Sequence, residues 1–324
     1  MARKILIQGF KIVLSGLLIV LLLRRIGIDR VVEYIHSSDP IWIGGALMLF
    51  TASHFVGSLQ WWWLLRFEGI HIPWRKTVSF YFVGLFFNNF LIGNLGGDMF
   101  RMVDVRRSSK NGTGAVSTVF FDRFAGLFVL SGMAIITAPW IITHGAIRFY
   151  LQLPILGLII GWVFVLFLLF NRKFAKPFTW LIKLMIPDRI TIKAREVYHK
   201  IFILGRKKTL LLRVLCLSLV VQSARIMTHY FLGRSLGVTL SPVYYFLIIP
   251  IVAIMASLPL SVGGIGLREQ TGVVLFGAVG IAALQAFSLE FMAYLVAVVS
   301  SLLGGIVFIL RRRVDFETYP VRAH

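Results

Sequence analysis

The chain has 324 residues, of which 58% are hydrophobic, and its mean hydropathy is +0.85. Soluble domains contain about 45–50% apolar residues, so this composition excludes an ordinary soluble protein and predicts a multi-pass membrane protein. The formal net charge is +21, from 34 Lys and Arg against 13 Asp and Glu. In so apolar a chain, this surplus is typical of basic loops facing the anionic cytoplasmic leaflet, and we favour that explanation over nucleic-acid binding.

The sequence lacks the usual motifs of soluble catalysis. Cys216 is the only cysteine, which excludes an internal disulfide and a cysteine-based metal site. The seven histidines have no metal-ligand spacing, and there is no P-loop, dinucleotide-binding fingerprint or Gly-x-Ser-x-Gly turn. We therefore expect no metal and no cofactor, and we favour a non-enzymatic role, while an enzymatic one stays open.

Hydrophobic runs predict an all-α protein with about six helices that cross the membrane, since about 20 apolar residues span the bilayer. In chain order, these runs are 5–23, 41–65, 117–142, 149–170, 210–232 and 288–310. No small-residue cleavage site follows the first run, so we interpret it as a retained helix rather than a secretory signal. Glycine pairs interrupt two further apolar regions, 78–95 and 244–285, which we interpret as re-entrant or short hairpins. Whether 266–285 crosses fully or returns stays open.

The distribution of basic residues predicts the orientation. Segment 171–209 holds eleven Lys and Arg against two acids, which indicates a cytoplasmic loop. The tail that begins at Arg311 is basic too, so we expect both termini in the cytoplasm and the protein in the cell membrane. This arrangement requires 78–95 to enter the bilayer and return, because a full crossing places the largest basic loop outside.

Two stretches of the chain share a layout. In "LIGNLGGDMFR" (91–101) and "LPLSVGGIGLR" (258–268), Leu, Gly, Gly and Arg recur at an offset of 167 residues. "LLRFEGI" (64–70) and "LGRSLGV" (232–238) match at an offset of 168, as do the acids Asp122 and Glu290. In a chain rich in Leu and Gly, single matches also arise by chance, but several in register favour an internal repeat.

The repeat divides a single membrane domain, 1–324, into two units. Unit one covers about 41–142 and unit two about 210–310, joined by helix 149–170 and the basic loop 171–209, with helix 5–23 as an addition. The charge-based orientation makes helices 41–65 and 210–232 run in opposite directions. The units are therefore predicted to form an inverted-topology repeat, as in many secondary transporters.

The glycine pairs predict helix breaks that face a polar cavity. Non-helical backbone at membrane depth persists only when it is buried in protein or lines water, and glycine allows the backbone conformations of a break. A helix that resumes after a break points free N–H groups and a positive dipole end into the cavity, which favours an anion. The predicted substrate-binding residues are Asn94, Gly96, Gly97, Arg101, Arg123, Gly263, Gly264 and Arg268.

Further ionisable residues lie within or beside apolar helices, where such groups are costly and usually functional. They are Asp98, Asp122, Arg225, Glu269 and Glu290. Two interpretations stay open, namely ion coupling and structural ion pairs. Arg225 needs a partner, which is Glu290, Asp122 or a bound phosphate.

The stretches "NNFLIGNLGGDMFR", "STVFFDRFAGL" and "LPLSVGGIGLREQ" together resemble the lysylphosphatidylglycerol synthase transmembrane-region family, a flippase-like group of the UPF0104 type. The resemblance extends from about residue 10 to 310. It implies movement of anionic or polyprenyl-linked lipids across the membrane, or support of enzymes that modify such lipids. Some family members carry a soluble aminoacyltransferase domain, which we do not expect in this protein, so the synthase activity is not implied.

Two hypotheses follow. In the first, a flippase-like transporter holds the headgroup of an anionic or polyprenyl-phosphate-linked lipid between two broken hairpins, and no ATP motif is present to drive it. In the second, a membrane-embedded transferase or accessory subunit modifies a lipid headgroup or lipid-linked sugar, with Asp98, Asp122 or Glu269 as base. The expected partners are membrane lipids and, in the second case, a glycosyltransferase or other lipid-modifying enzyme, and no nucleic acid is expected.

Overall fold

The computed structural model describes residues 28–90, 96–144, 155–163, 207–258 and 264–318. Within these ranges the chain forms helices joined by short turns, and it contains no β-strand. The helices are α1 (Ile28–His36), α2 (Pro40–Phe67), α3 (Trp74–Phe90), α4 (Gly96–Ser109), α5 (Gly112–His144), α6 (Lys208–Ser235), α7 (Pro242–Ser257), α8 (Leu267–Ala278) and α9 (Ala283–Thr318). Residues 155–163 are helical as well.

Four helices, α2, α5, α6 and α9, are long and apolar enough to cross a membrane. The 28 residues of α2 extend about 42 Å, which exceeds the ~30 Å hydrocarbon layer. These helices confirm the predicted runs 41–65, 117–142, 210–232 and 288–310 as membrane-length helices. The predicted helix 5–23 and most of helix 149–170 and loop 171–209 lie outside the described residues.

Helix α8 is too short to cross the bilayer. Helix α8 has 12 residues and extends about 18 Å. A turn at Gly280, where φ is +90°, then leads into α9 at Ala283. Segment 266–285 is therefore a short helix followed by a turn, which excludes one continuous crossing helix there.

Helices α2 and α6 end in the same way, and the repeated sequence motif explains why. Gly69 and Gly237 follow the two helices with φ of +74° and +71°, the left-handed region that glycine occupies without strain. The amide after each glycine donates to the carbonyl five residues earlier, at 2.9 Å after α2 and 2.8 Å after α6. This is the Schellman arrangement. The final glycine in "LLRFEGI" and "LGRSLGV" thus encodes a helix stop in both places.

Two sets of four helices follow the same order of long, short, short and long. The first set is α2–α5 and the second is α6–α9. The leading helices of the two sets form the most extensive helix pair, and they are antiparallel. Near the start of α2, the Asp39 amide donates to the Ser235 carbonyl at 3.0 Å, whereas near its other end Gln60 contacts Ser218 at 2.9 Å.

Each set also packs one of its short helices against the other set, an arrangement that we call the exchange of short helices. Helix α3 packs on α9 of the other set, and α7 packs on α5. The contact of α3 with α9 is very close, because a Cβ atom at Gly304 of α9 would lie 1.9 Å from the Phe82 carbonyl oxygen. Glycine at 304 is therefore needed for this packing, and the two sets share one hydrophobic interior.

Helix α1 is an amphipathic element that hydropathy alone did not predict, because its nine residues are too short and too polar to form an apolar run. It packs on α9, where Val31 lies in a cluster with Phe287. The Tyr34 hydroxyl donates to the Leu236 carbonyl, and it accepts a hydrogen bond from Gln285 at 2.9 Å. These contacts fix α1 against the second set.

Candidate functional site

A cavity of about 380 Å³ lies between the two helix sets. All eight helices, α2 to α9, contribute side chains to its lining. Apolar residues such as Leu127 and Val252 line part of it, and ionisable side chains line the rest. The charged lining residues among those described are Arg101, Asp122, Arg123, Arg225, Arg268 and Glu290. This volume and mixed lining are typical of ligand pockets, which measure about 300–1,000 Å³.

The structure brings the arginines that follow the two glycine pairs to the same cavity. Arg101 lies in the second turn of α4, which begins at Gly96, and Arg268 is the second residue of α8. Both side chains line the cavity, so the two helix starts face one common space. Asn94 and Gly263, which the sequence also placed in the site, lie outside the described residues.

Two of the predicted site glycines have a packing role. A Cβ atom at Gly97 would lie 1.7 Å from the Gly84 carbonyl oxygen, so α4 crosses α3 at backbone contact. The Gly97 amide also donates to the Asn88 side chain at 2.9 Å. Gly264 has φ of +79° and lies against Ala256, which permits the tight turn before α8. Neither glycine lines the cavity, and both position a helix that does.

Arg101 belongs to a buried ion-pair network. Its side chain bonds to Asp122 at 2.9 Å and to Asp98 at 3.4 Å, and its guanidinium carbon lies 4.1 Å from the centre of the Trp61 ring. Asp122 also accepts a hydrogen bond from Gln60 at 2.9 Å. With two carboxylates beside it and only 4% of its surface exposed, the Arg101 charge is neutralised within the protein.

Arg123 completes this network and faces the cavity. Its Nε atom donates to Asp98 at 2.8 Å, while half of its side chain is exposed. In the first helix set, the positive charges of Arg101 and Arg123 are thus balanced by the negative charges of Asp98 and Asp122. Asp98 itself is buried and does not line the cavity, so its role is to hold Arg101 and Arg123.

The second helix set has a different charge balance. Arg225 and Arg268 both line the cavity, and within the described part of the chain neither has a carboxylate oxygen within 4.0 Å. Arg225 contacts His54 at 3.4 Å, and its buried Nε atom has no partner among the described atoms. These two arginines leave a surplus of positive charge in the cavity.

Glu290 is the acid of the second set that lines the same cavity. It is fully buried, and its carboxylate lies 3.9 Å from His229 Nε2. Glu269 is buried too, but it accepts a hydrogen bond from the Gly266 amide at 2.6 Å and does not line the cavity. Glu269 therefore stabilises the start of α8 by capping its first turn.

Sequence reasoning missed several residues of this region. Trp61 belongs to "QWWWLLR", a pattern typical of an aromatic belt at the membrane boundary, yet its ring is fully buried beneath Arg101. Tyr81 lines the cavity and contacts the same guanidinium at 4.6 Å. The i, i+4 spacing of Arg225 and His229 was a usable signal, since both face the cavity from one side of α6. Among the described side chains, no group of three or more His, Cys, Asp or Glu is arranged to bind a metal.

Comparison with known proteins identifies the family of this chain. The model of the lysylphosphatidylglycerol synthase TM region matches residues 8–313. The chain is also similar to a UPF0104 membrane protein of Pyrococcus horikoshii, with 24% identity over 323 residues that cover 93% of this chain and 96% of the relative. Because the match extends over nearly the whole chain, the protein belongs to the lysylphosphatidylglycerol synthase transmembrane-region family of membrane proteins.

Proposed function

We propose that this protein is a flippase-like transporter that binds the phosphate of an anionic or polyprenyl-linked lipid in the cavity between the two helix sets. The observation that carries this proposal is the pair Arg225 and Arg268, two cavity-lining arginines that have no carboxylate oxygen within 4.0 Å in the described part of the chain. Charges inside a membrane protein are costly unless they are paired. A phosphate supplies the missing negative charge and accepts two hydrogen bonds from each guanidinium.

The apolar part of the cavity lining favours a lipid over a free anion. Leu127, Leu130, Val252 and Ala253 contribute apolar surface beside the charged groups. A phosphate attached to an acyl or prenyl chain satisfies both kinds of surface. The family to which the chain belongs points to the same class of substrate.

We propose further that the two helix sets are inverted repeats and that their relative tilt gives access to the cavity from alternate sides. Three features support this: the antiparallel packing of α2 on α6, their equivalent Schellman ends, and the exchange of α3 and α7 between the sets. In this proposal the segments around the glycine pairs are re-entrant. In many secondary transporters, such repeats rock against each other around a site near the midplane.

The test is lipid translocation by the purified protein in vesicles. Fluorescent phosphatidylglycerol in the inner leaflet becomes accessible to an impermeant quencher only when it is moved outward. We expect Arg268→Gln and Arg225→Gln each to lower the translocation rate about tenfold or more. A hydrogen bond to a charged group contributes ~1.5–3 kcal/mol, and ~1.4 kcal/mol corresponds to a factor of ten.

Arg213→Gln serves as the matched control. Arg213 also lies on α6, but it is exposed, stacks on the Trp63 ring at 4.8 Å and does not line this cavity. Its substitution is expected to leave the rate unchanged. Equal rates for all four proteins would contradict the proposed site, and chemical conversion of the lipid by the purified protein would favour the transferase hypothesis instead.

A further inference from the structure

Asp122 and Glu290 occupy equivalent places in the two sets, 168 residues apart, yet their surroundings differ sharply. Asp122 accepts hydrogen bonds from Gln60 and Arg101, each at 2.9 Å. Glu290 is fully buried on α9, and neither of its carboxylate oxygens has a hydrogen-bond partner among the described atoms. Two hydrogen bonds therefore hold the first acid, whereas none among the described atoms holds the second.

The groups that face Glu290 come from the helices around it. Helix α6 contributes His229, whose Nε2 lies 3.9 Å from the carboxylate. Helix α8 contributes the charges of Arg268 and Glu269, and α7 contributes the phenol of Tyr245. Helix α8 lies in direct contact with this side chain, because a Cβ atom at Gly272 would be 2.5 Å from Glu290 Cγ. His54 of α2 is close to Arg225 instead.

An ionised Glu290 thus depends on the positive field of the cavity arginines, since no hydrogen bond holds its charge. A buried carboxylate without hydrogen bonds is unstable relative to its neutral form unless a cation compensates it. When an anion binds Arg268, it neutralises the positive charge that had balanced the Glu290 carboxylate. The anion also places additional negative charge beside this carboxylate. Binding of the anion then favours transfer of a proton from water to Glu290.

We propose that Glu290 is a proton-binding site through which anion binding in the cavity is coupled to proton uptake. The step converts the Glu290 carboxylate and one proton into a carboxylic acid, and Glu290 gives up this proton when the anion is released on the other side. This inference rests on the proposed function, because it names the proton as the ion coupled to transport through the same cavity. Asp122 does not fill this role, because Arg101 and Gln60 remain bound to it.

The first test uses the wild-type protein alone. Short-chain phosphatidylglycerol is added to the detergent-solubilised protein in weak buffer with a pH-indicator dye. The experiment is done at alkaline pH, where Glu290 is ionised before the lipid binds, and we expect uptake that approaches one proton for each lipid bound. In an infrared difference spectrum the carbonyl band of a protonated carboxylic acid is expected to appear at the same time. Lipid binding without proton uptake overturns the coupling.

The second test measures translocation of fluorescent phosphatidylglycerol in vesicles with and without a pH gradient. We expect the gradient to change the wild-type rate several-fold and to have no effect on Glu290→Gln, which remains permanently neutral. Glu33→Gln is the matched control, because Glu33 is an exposed acid on α1 outside the cavity, and this variant is expected to respond as the wild type does.

The outcomes separate the two proposals. If the wild-type protein moves no lipid with or without the gradient, the proposed function is wrong. If the wild type moves lipid and Glu290→Gln responds to the gradient equally, the function stands and the coupling through Glu290 is wrong. Radioactive inorganic phosphate, supplied in a parallel arm, tests whether a free anion replaces the lipid, and its transport in place of the lipid contradicts the lipid assignment.

Discussion

Arg101 and Arg268 follow the same glycine pattern in the sequence, but their side chains have different electrostatic environments. Arg101 bonds to Asp98 and Asp122 and lies over the Trp61 ring, whereas Arg268 has no carboxylate oxygen within 4.0 Å in the described ranges. Equal positions in a motif therefore do not imply equal roles. The bonds of the first arginine indicate a stabilising role, and ligand binding by the second remains our proposal.

This difference predicts opposite effects on stability. Arg101→Leu removes the arginine that bonds to the buried Asp98 and the partly buried Asp122, and breaking a buried ion pair costs about 3–5 kcal/mol. Arg268→Leu removes a charge that lacks such a partner, so we expect its stability to equal or exceed that of the wild type. Thermal unfolding in detergent checks both variants. A loss of stability in Arg268→Leu as large as in Arg101→Leu would contradict this division of roles.

At the scale of helices, the repeated motif of "LLRFEGI" and "LGRSLGV" encodes a Schellman end for α2 and for α6. Gly69 and Gly237 adopt positive φ, and nothing lies within 4 Å of a Cβ atom built on either residue. Each glycine is therefore required by its backbone conformation, and space around it is not limiting. The same requirement at both ends explains why this part of the repeat is readable in the sequence.

We expect Gly69→Ala and Gly237→Ala each to destabilise the protein by about 1–2 kcal/mol, the cost of placing an L-residue in the left-handed region. Gly44→Ala is the control, because Gly44 lies inside α2 with no atom within 4 Å of its added Cβ, and alanine favours helix. That variant is expected to be as stable as the wild type or slightly more so. Denaturation midpoints measure all three, and equal midpoints would contradict the conformational explanation.

At the scale of the whole molecule, the proposed transport requires the two helix sets to move relative to each other. Thr51 of α2 and Ser300 of α9 belong to different sets, and their hydroxyl oxygens lie 3.0 Å apart. Cysteines at both positions, in a Cys216→Ser background, are near enough to form a disulfide. We expect oxidation of this double variant to stop lipid translocation and reduction to restore it. Undiminished translocation by the fully cross-linked protein would exclude rocking of the sets.

The sequence predicted the membrane class and the four long helices because each carries an apolar run of membrane length. It also predicted that Arg101, Arg123 and Arg268 belong near one another, and the structure places all three at one cavity. The inverted arrangement, the cytoplasmic termini and the ligand roles of these arginines stay predictions. The network of Asp98 and the burial of Trp61 were beyond sequence reasoning, because both depend on which helices pack together.

The exchange of short helices has a mechanical consequence. Since α3 rests on α9 and α7 rests on α5, each half of the protein carries part of the wall that encloses its counterpart. In the rocking motion that we propose, a small pivot of either half is expected to shift both walls together, so that one mouth of the cavity narrows while the opposite mouth widens. Because the two halves interlock, we expect the opening of one mouth to be coupled to the closing of the other. Such coupling prevents a continuous leak through the bilayer.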